Sequence, residues 1–288
     1  RNAEVLLSCV LKYAEDFHLT PEDMTWIRTK NFFHNTLVDR IVTGYPREDA
    51  QTMQEALGYT DACLDCCEWF HLWVIEGDER LAAALPFEKS GLSVVFTQDV
   101  SPYKIRKVRI LNGAHTMMVP AAMMCGYQTV CEAMQDEVIR TWLLRGLYEE
   151  IIPTMPPHAG SEAFARDVLC RFDNPYIKHR LSAILMNCVS KWVTRILPTL
   201  TDYMAQRDRI PSRLCFSLAA MIRLYRTGIS DDDPAVTAKV TSMPTAELLA
   251  DTSLWGRDLS VLLPDVEAWL GAMEDEGVHR CLERMNHT

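Results

Sequence analysis

From residue 103 to residue 275 the chain reads as one helix after another, interrupted only by prolines, glycines and a single acidic turn. The spacing predicts helices over 103–125, 127–152, 160–171, 175–195, 198–207, 211–228, 244–252 and 260–275. The breaks fall at Pro153, Pro156-Pro157, Gly160, Pro211, Gly228 and Asp231-Asp-Asp-Pro234. Proline lacks the amide that a helix interior needs, and glycine pays the largest backbone entropy, so these positions punctuate the run. Amphipathic helices in such number must bury their apolar stripes against one another, which confines this part to a multi-helical domain. The acidic triplet lacks the alternating ligand spacing of a calcium loop and reads as a solvated turn.

The first hundred residues are different. Val5, Leu6, Cys9, Val10, Tyr13 and Phe17 recur at helical spacing, and Thr20-Pro21-Glu-Asp23 has the form of a helix start, with Thr20 as cap and Pro21 at the first position. Asn31 to Val42 mixes β-branched and aromatic residues and closes at the turn Thr43-Gly44-Tyr45-Pro46. Residues 50–65 are polar and small and read as a linker or surface segment. Trp69–Ile75 and Ser93–Thr97 are short, bulky and bounded by turn residues, and read as strands. The expected fold is therefore mainly α: a multi-helical domain carrying a small β element, preceded by a short mixed segment.

Charge removes whole classes of partner. A net charge of −10 over 288 residues argues against nucleic acid and against an anionic membrane surface, both of which reward basic faces. No apolar stretch approaches the roughly 20 residues needed to span a bilayer. With Arg1-Asn2-Ala3-Glu4 at the start, no signal peptide is expected. Most of the ten cysteines stand among apolar neighbours, as in a reduced, cytoplasmic protein. Cys63-Leu-Asp-Cys66-Cys67, with His71 nearby, has half the form of a zinc site, but no second pair follows, and no metal is expected. Nor is there a G-x-G-x-x-G loop to cradle a dinucleotide phosphate.

One segment carries chemistry. Lys107, Asn112 and His115 stand at offsets of five and eight. At the pitch of an α-helix the three share one flank, while Leu111, Ala114 and Met118 line up as an apolar stripe. Lys107 lies within that stripe. Such a lysine either snorkels its ammonium to water or is desolvated, loses basicity and becomes able to take a proton near neutral pH.

Four ordered segments resemble the mannitol dehydrogenase family, the polyol-specific long-chain dehydrogenases. Asn35-Thr-Leu-Val-Asp39-Arg40-Ile41 is similar to its N-S-M-V-D-R-I signature, and Glu68 to Glu76 to its E-P-F-x-x-W-V-x-E segment. Lys107 to His115 matches its K-x4-N-x2-H motif, and Asn174-Pro175 with Ser190-Lys191 its N-P…S-K segment. Trp69 replaces a usual proline, Thr43 a usual proline or serine, and Ala183 an expected arginine, with Arg180 three residues earlier. Within the family the wording is nearest to the tagaturonate reductases (altronate oxidoreductases).

The resemblance implies an NAD-dependent interconversion of D-altronate and D-tagaturonate. It assigns Lys107 as general acid/base, Asn112 and Asn35 as hydrogen-bond donors to the developing alkoxide, and His115, Lys191 and Arg180 to the substrate. Arg109 and Arg195 compete with Arg180 for the substrate carboxylate, and Asp39-Arg40 are expected to be structural. It also implies that residues 1–45 end an N-terminal, NAD-binding Rossmann-like α/β domain whose remainder is absent, and that residues 46–288 form the helical C-terminal substrate domain. The partners are then a small sugar acid and that N-terminal domain, and the chain alone is expected to be inactive. Fructuronate reduction, or mannonate or mannitol oxidation, on the same machinery is one alternative. A non-catalytic helical binding module and a cysteine-based metal protein are alternatives of a different class.

Overall fold

The computed structural model describes residues 2–156 and 160–287. Arg1, where the reading of the N-terminus began, and Pro157, one of the expected breaks, lie outside the described residues. The chain divides into two compact units, one of residues 1–44 and 67–105, the other of 45–66 and 106–288. The boundary expected after residue 45 is thus only the first of three crossings: residues 67–105 return to the first unit, because the strands at 72–76 and 36–39 pair with each other.

In the first unit α1 (Asn2–Asp16) and α2 (Pro21–Lys30) follow the expected pattern. Thr20 accepts from the Asp23 amide and the Asp23 side chain accepts from the Thr20 amide, so the expected helix start is a full capping box. Strands β1 (Thr36–Asp39), β2 (Leu72–Glu76) and β3 (Val94–Thr97) form one sheet in that order. β1 runs antiparallel to β2, pairing Leu37 with Val74, and β2 runs parallel to β3, pairing Val74 with Val95. A parallel pair needs a crossover, and the helix Glu79–Ala84 is part of it, capped by Asp78, which accepts from the Arg80 and Leu81 amides. Val74 and Ile75 on the central strand are buried. Arg40 Nε donates to the Glu68 carbonyl and the buried Glu68 carboxylate accepts from the Ile41 amide at 2.6 Å, so this signature segment is tied in place structurally.

The second unit is the helical domain. It opens with α3 (Ala50–Leu57), in the polar stretch read as a linker or surface segment; it is a short surface helix that ends at Gly58 with φ +79°. The helix Ser101–Arg106 falls in the first unit up to Ile105, and the second unit continues with a π-turn, Lys107–Asn112, and α4 (Gly113–Met124). The helix expected over 127–152 is broken at Asp136, whose extended backbone lets its carboxylate cap the next helix through the Val138 and Ile139 amides. α5 (Ser161–Phe172) matches its expected span to within a few residues. The helix expected over 175–195 is two short ones, Leu181–Leu185 and α6 (Cys188–Arg195), because residues 175–180 are not helical and a turn at Met186-Asn187, with Asn187 at φ +55°, separates them. α7 (Leu197–Arg207), α8 (Ser212–Arg226) and α9 (Leu263–Asp275) match expected spans to within a few residues. Two longer helices were not foreseen, Pro234–Ser242 and Val278–Asn286. The first starts at the acidic turn itself, where Asp233 caps the Ala235 amide and Pro234 takes the first position.

α4 and α8 pack together at the centre, α8 also against α9, and both are buried on nearly every face. A helix apolar all round belongs in the middle of a bundle, and this one places the motif segment against the core. A second π-turn, Gly146–Ile151, packs against the first. Gly146 gives Met117 of α4 room: a Cβ there would stand 2.5 Å from its Cε and the methionine end would have to shift. Among the described residues no helix is long and apolar enough to cross a membrane.

Candidate active site

The π-turn revises the angular reading of the motif. The Gly113 amide donates to the Val108 carbonyl, five residues back. Hydrogen bonds at this spacing widen the turn, so Lys107 and Asn112, about 140° apart around a regular helix, are drawn closer to one face. His115 follows Asn112 by three residues in α-helix, on the adjoining position of the same face. A π-turn is a rare departure frequently found at functional sites, and here it spans Lys107 to Asn112 of the motif. Lys107 and Asn112 are half-buried and His115 is buried.

His115 stacks on Phe172, ring centroids 4.0 Å apart and 15° from coplanar, and meets His179 edge-on at 4.9 Å. Its Nε2 is buried with no hydrogen-bond partner among the described residues. Burial holds the imidazole well below its ordinary pKa, and the positive charges of His179, Arg195, Arg171 and Lys191 add to the effect. His115 is therefore neutral at physiological pH, a ring able to exchange one hydrogen bond with a ligand hydroxyl.

His179 was not singled out from the sequence. It stands in the stretch 175–180 that was expected to be helical. Its carbonyl accepts from the Val130 amide, Arg180 bridges Thr129, and the Leu181 amide donates to the Gln128 carbonyl. These contacts hold the backbone extended and bring the ring to His115. The only local hint was Pro175, which disfavours helix for the residue before it. Burial, with Lys191 nearby, pulls His179 down to about 4.

That depression has a sign that can be tested. Between about 4 and the ordinary 6.5 an unfolded chain carries a proton on His179 that the folded chain does not, so stability falls as pH drops through this window. His179→Asn is expected to flatten this part of the profile, by up to about 3 kcal/mol at its acid end. Urea unfolding midpoints of both proteins across the window measure it; parallel profiles would show that the ring titrates normally.

Lys191 and Arg195 lie on α6, four residues apart. Lys191 Nζ donates to the Ile184 carbonyl at 2.8 Å, and its pKa is lowered by burial and by Arg195. Arg195 Nη1 donates to Thr116 Oγ1, at 3.2 Å, on the residue following His115. α6 packs against Gly113, where a Cβ would make an ordinary contact, 3.7 Å from the Arg195 carbonyl.

The structure sorts the three competing arginines. Arg109 is paired with Asp202 at 2.6 Å. Arg180 is half-exposed and paired with Glu48, beside a Lys178–Asp49 pair of 2.9 Å, so the guanidinium expected to anchor substrate is held in a surface ion-pair network. Arg195 has no carboxylate partner among the described residues and lies beside the motif helix. Asn35 belongs to the first unit, where its Nδ2 donates to Glu76 Oε1 at 3.1 Å and its Oδ1 accepts from the Ala3 amide.

Cys66 lies 3.8 Å from Met53 Sδ, and His71 is engaged by the Ser93 amide and the Trp69 carbonyl. Among the described residues no three metal-ligating side chains gather. Open surface clefts of about 660 and 690 Å³, lined by residues such as Tyr45 and Gln54 or Glu137 and Arg280, include none of the motif residues.

Comparison with known proteins places these features in a family. The pattern of the mannitol dehydrogenase C-terminal domain matches residues 99–278, and that of the mannitol dehydrogenase Rossmann domain residues 1–89. The altronate oxidoreductase of Cronobacter sakazakii is 48% identical over 226 residues, covering 78% of this chain and 47% of the relative. That of Yersinia enterocolitica is 41% identical over 281 residues, covering 91% and 58%. Among solved structures, Pseudomonas fluorescens mannitol 2-dehydrogenase, in a ternary complex with NAD and D-mannitol, superposes with a TM-score of 0.78 at 25% identity, over 92% of this chain and 56% of that one. A substrate-free D-sorbitol dehydrogenase gives 0.80 at 25% identity, over 96% and 59%. The chain spans about half the length of the curated relatives it matches.

Proposed function

The chain belongs to the mannitol dehydrogenase family, and from that premise we propose that its protein interconverts D-altronate and D-tagaturonate with NAD. The observation that carries this is the alignment of Lys107, Asn112 and His115 on one π-bulged helix, beside cations that lack a counter-charge among the described residues. The identity to altronate oxidoreductases supports the choice of substrate.

NAD, when bound, accepts the hydride from the carbinol carbon. The parallel β2–β3 pair suits the end of a dinucleotide-binding sheet, but this chain has no glycine-rich phosphate loop, so its residues account for the proton chemistry only. In that chemistry Lys107 takes the alcohol proton at Nζ during oxidation and returns it during ketone reduction. Asn112, on the same π-turn, donates to the oxygen on which negative charge develops. The neutral ring of His115 orients a substrate hydroxyl, and Lys191 binds a further oxygen of the acid. The reading places the protein in the cytoplasm, where exposed thiols such as Cys63 and Cys67 stay reduced.

The test is substrate-dependent NADH formation by the protein as its gene encodes it. Altronate is expected to be oxidised with a kcat/KM at least about tenfold above those for mannonate and mannitol, a difference of about 1.4 kcal/mol in transition-state binding. Preference for mannitol would overturn the sugar-acid reading, and preference for mannonate would move it to the sibling activity.

A further inference from the structure

We propose that Arg195 and Lys191 together seat the carboxylate of the substrate, with Thr116 holding the arginine and the rings of His115 and His179 walling the seat, so that this pair selects an acid over an uncharged polyol. The inference rests on the altronate reading and names the group that would make the site specific for an acid.

The argument starts from two like charges set four residues apart on α6, a spacing that projects them from one face and makes them repel. Both are half-buried, and neither has a carboxylate within ion-pair distance among the described residues. The nearest acids are engaged elsewhere. Asp232 accepts from the Tyr225 hydroxyl and from the Val189 amide, and the charges of Asp232 and Asp231 reach Lys191 only from beyond ion-pair distance. The histidines facing the pair add no negative charge. Two partly desolvated cations without a counter-ion are costly to hold, and an anion placed between them removes that cost.

The geometry favours a planar anion. One nitrogen of Arg195 is fixed on Thr116, which orients the guanidinium and leaves its other N–H groups for the paired hydrogen bonds that a carboxylate accepts. Thr116 follows His115 directly in sequence, so the seat is built onto the motif helix itself. Arg109 and Arg180, each already paired with an acid, are poor rivals for this role.

The experiment compares altronate with the alditol of the same configuration, in which CH2OH replaces the carboxylate. Arg195→Met is expected to raise KM for altronate about 100-fold, leave kcat within a few-fold, and leave the alditol unaffected. Arg195→Lys should recover part of the loss, and Thr116→Val should give a smaller rise of the same kind. An unchanged KM for altronate, or an equal loss with both substrates, overturns the seat while the altronate activity stands. A second readout needs no turnover: D-gluconate should raise the melting temperature of the wild-type protein but not of Arg195→Met. If altronate is not a substrate and gluconate still protects only the wild type, the seat stands and the altronate reading falls. Equal behaviour of the two proteins toward gluconate, or protection by inorganic phosphate as strong as by gluconate, overturns the carboxylate assignment.

Discussion

Lys107→Ala is expected to lower altronate-dependent NADH formation about 10³-fold in kcat, with KM changed only a few-fold. A positioned general base contributes roughly 10² to 10⁴ in rate, and the middle of that range corresponds to about 4 kcal/mol of transition-state stabilisation. The alcohol proton must leave as the hydride departs, and in the proposed mechanism Lys107, on the π-turn with Asn112, takes it. Lys107→Arg separates charge from proton transfer. It keeps a cation at the site, but a guanidinium does not deprotonate in this pH range, so it should be nearly as inactive as the alanine variant. Partial rescue of Lys107→Ala by added methylamine would place the missing function on the amine. Undiminished turnover in the alanine variant would remove Lys107 from the mechanism, whatever its position in the motif.

The second large effect concerns stability. Glu150, on the second π-turn and 3% exposed, accepts from the Arg213 and Leu214 amides at 3.0 and 2.9 Å, and so closes the first turn of α8, the central helix. Its charge also faces the buried Arg213 guanidinium at 3.5 Å, with the more exposed Glu149 at 3.1 Å. Burial raises the Glu150 carboxyl above its ordinary range despite these amides and the arginine, so the ion pair itself is not the source of stability. The loss on truncation comes from what is left behind: two amides at a buried helix start, and a guanidinium with only Glu149 to face. Glu150→Ala is expected to destabilise by about 3–5 kcal/mol, a large share of the roughly 5–15 kcal/mol that holds a domain folded. Urea unfolding gives the number. Arg213→Met added to Glu150→Ala should cost little more than the single change, because the orphaned charge is gone. Strictly additive losses would show that the two residues act independently.

Local signals were readable wherever a single residue fixes its own backbone. The capping box at Thr20, the stop at Gly58 and the cap at Asp233 are written in residue types, although the last two were passed over because their segments looked like linker and turn. Strands were readable from bulky runs, but not that residues 67–105 return to the first unit, since strand pairing is a contact between segments distant in sequence. The stretch 175–180 was misread as helix because its apolar spacing continues into α6; the backbone bonds to residues 128–130 override that pattern.

By itself the sequence determined the helical character of the second unit, the Lys107, Asn112 and His115 motif and the family to which they belong. These follow from residue type and spacing, which act over a few turns of chain. The tertiary structure decided the rest: the π-turn that spans Lys107 to Asn112, the approach of His179 to His115, and which of three arginines lacks a carboxylate among the described residues. An arginine looks the same in sequence whether or not Glu48 or Asp202 waits for it. Charge compensation and burial depend on distances between segments, and those exist only once the chain has folded.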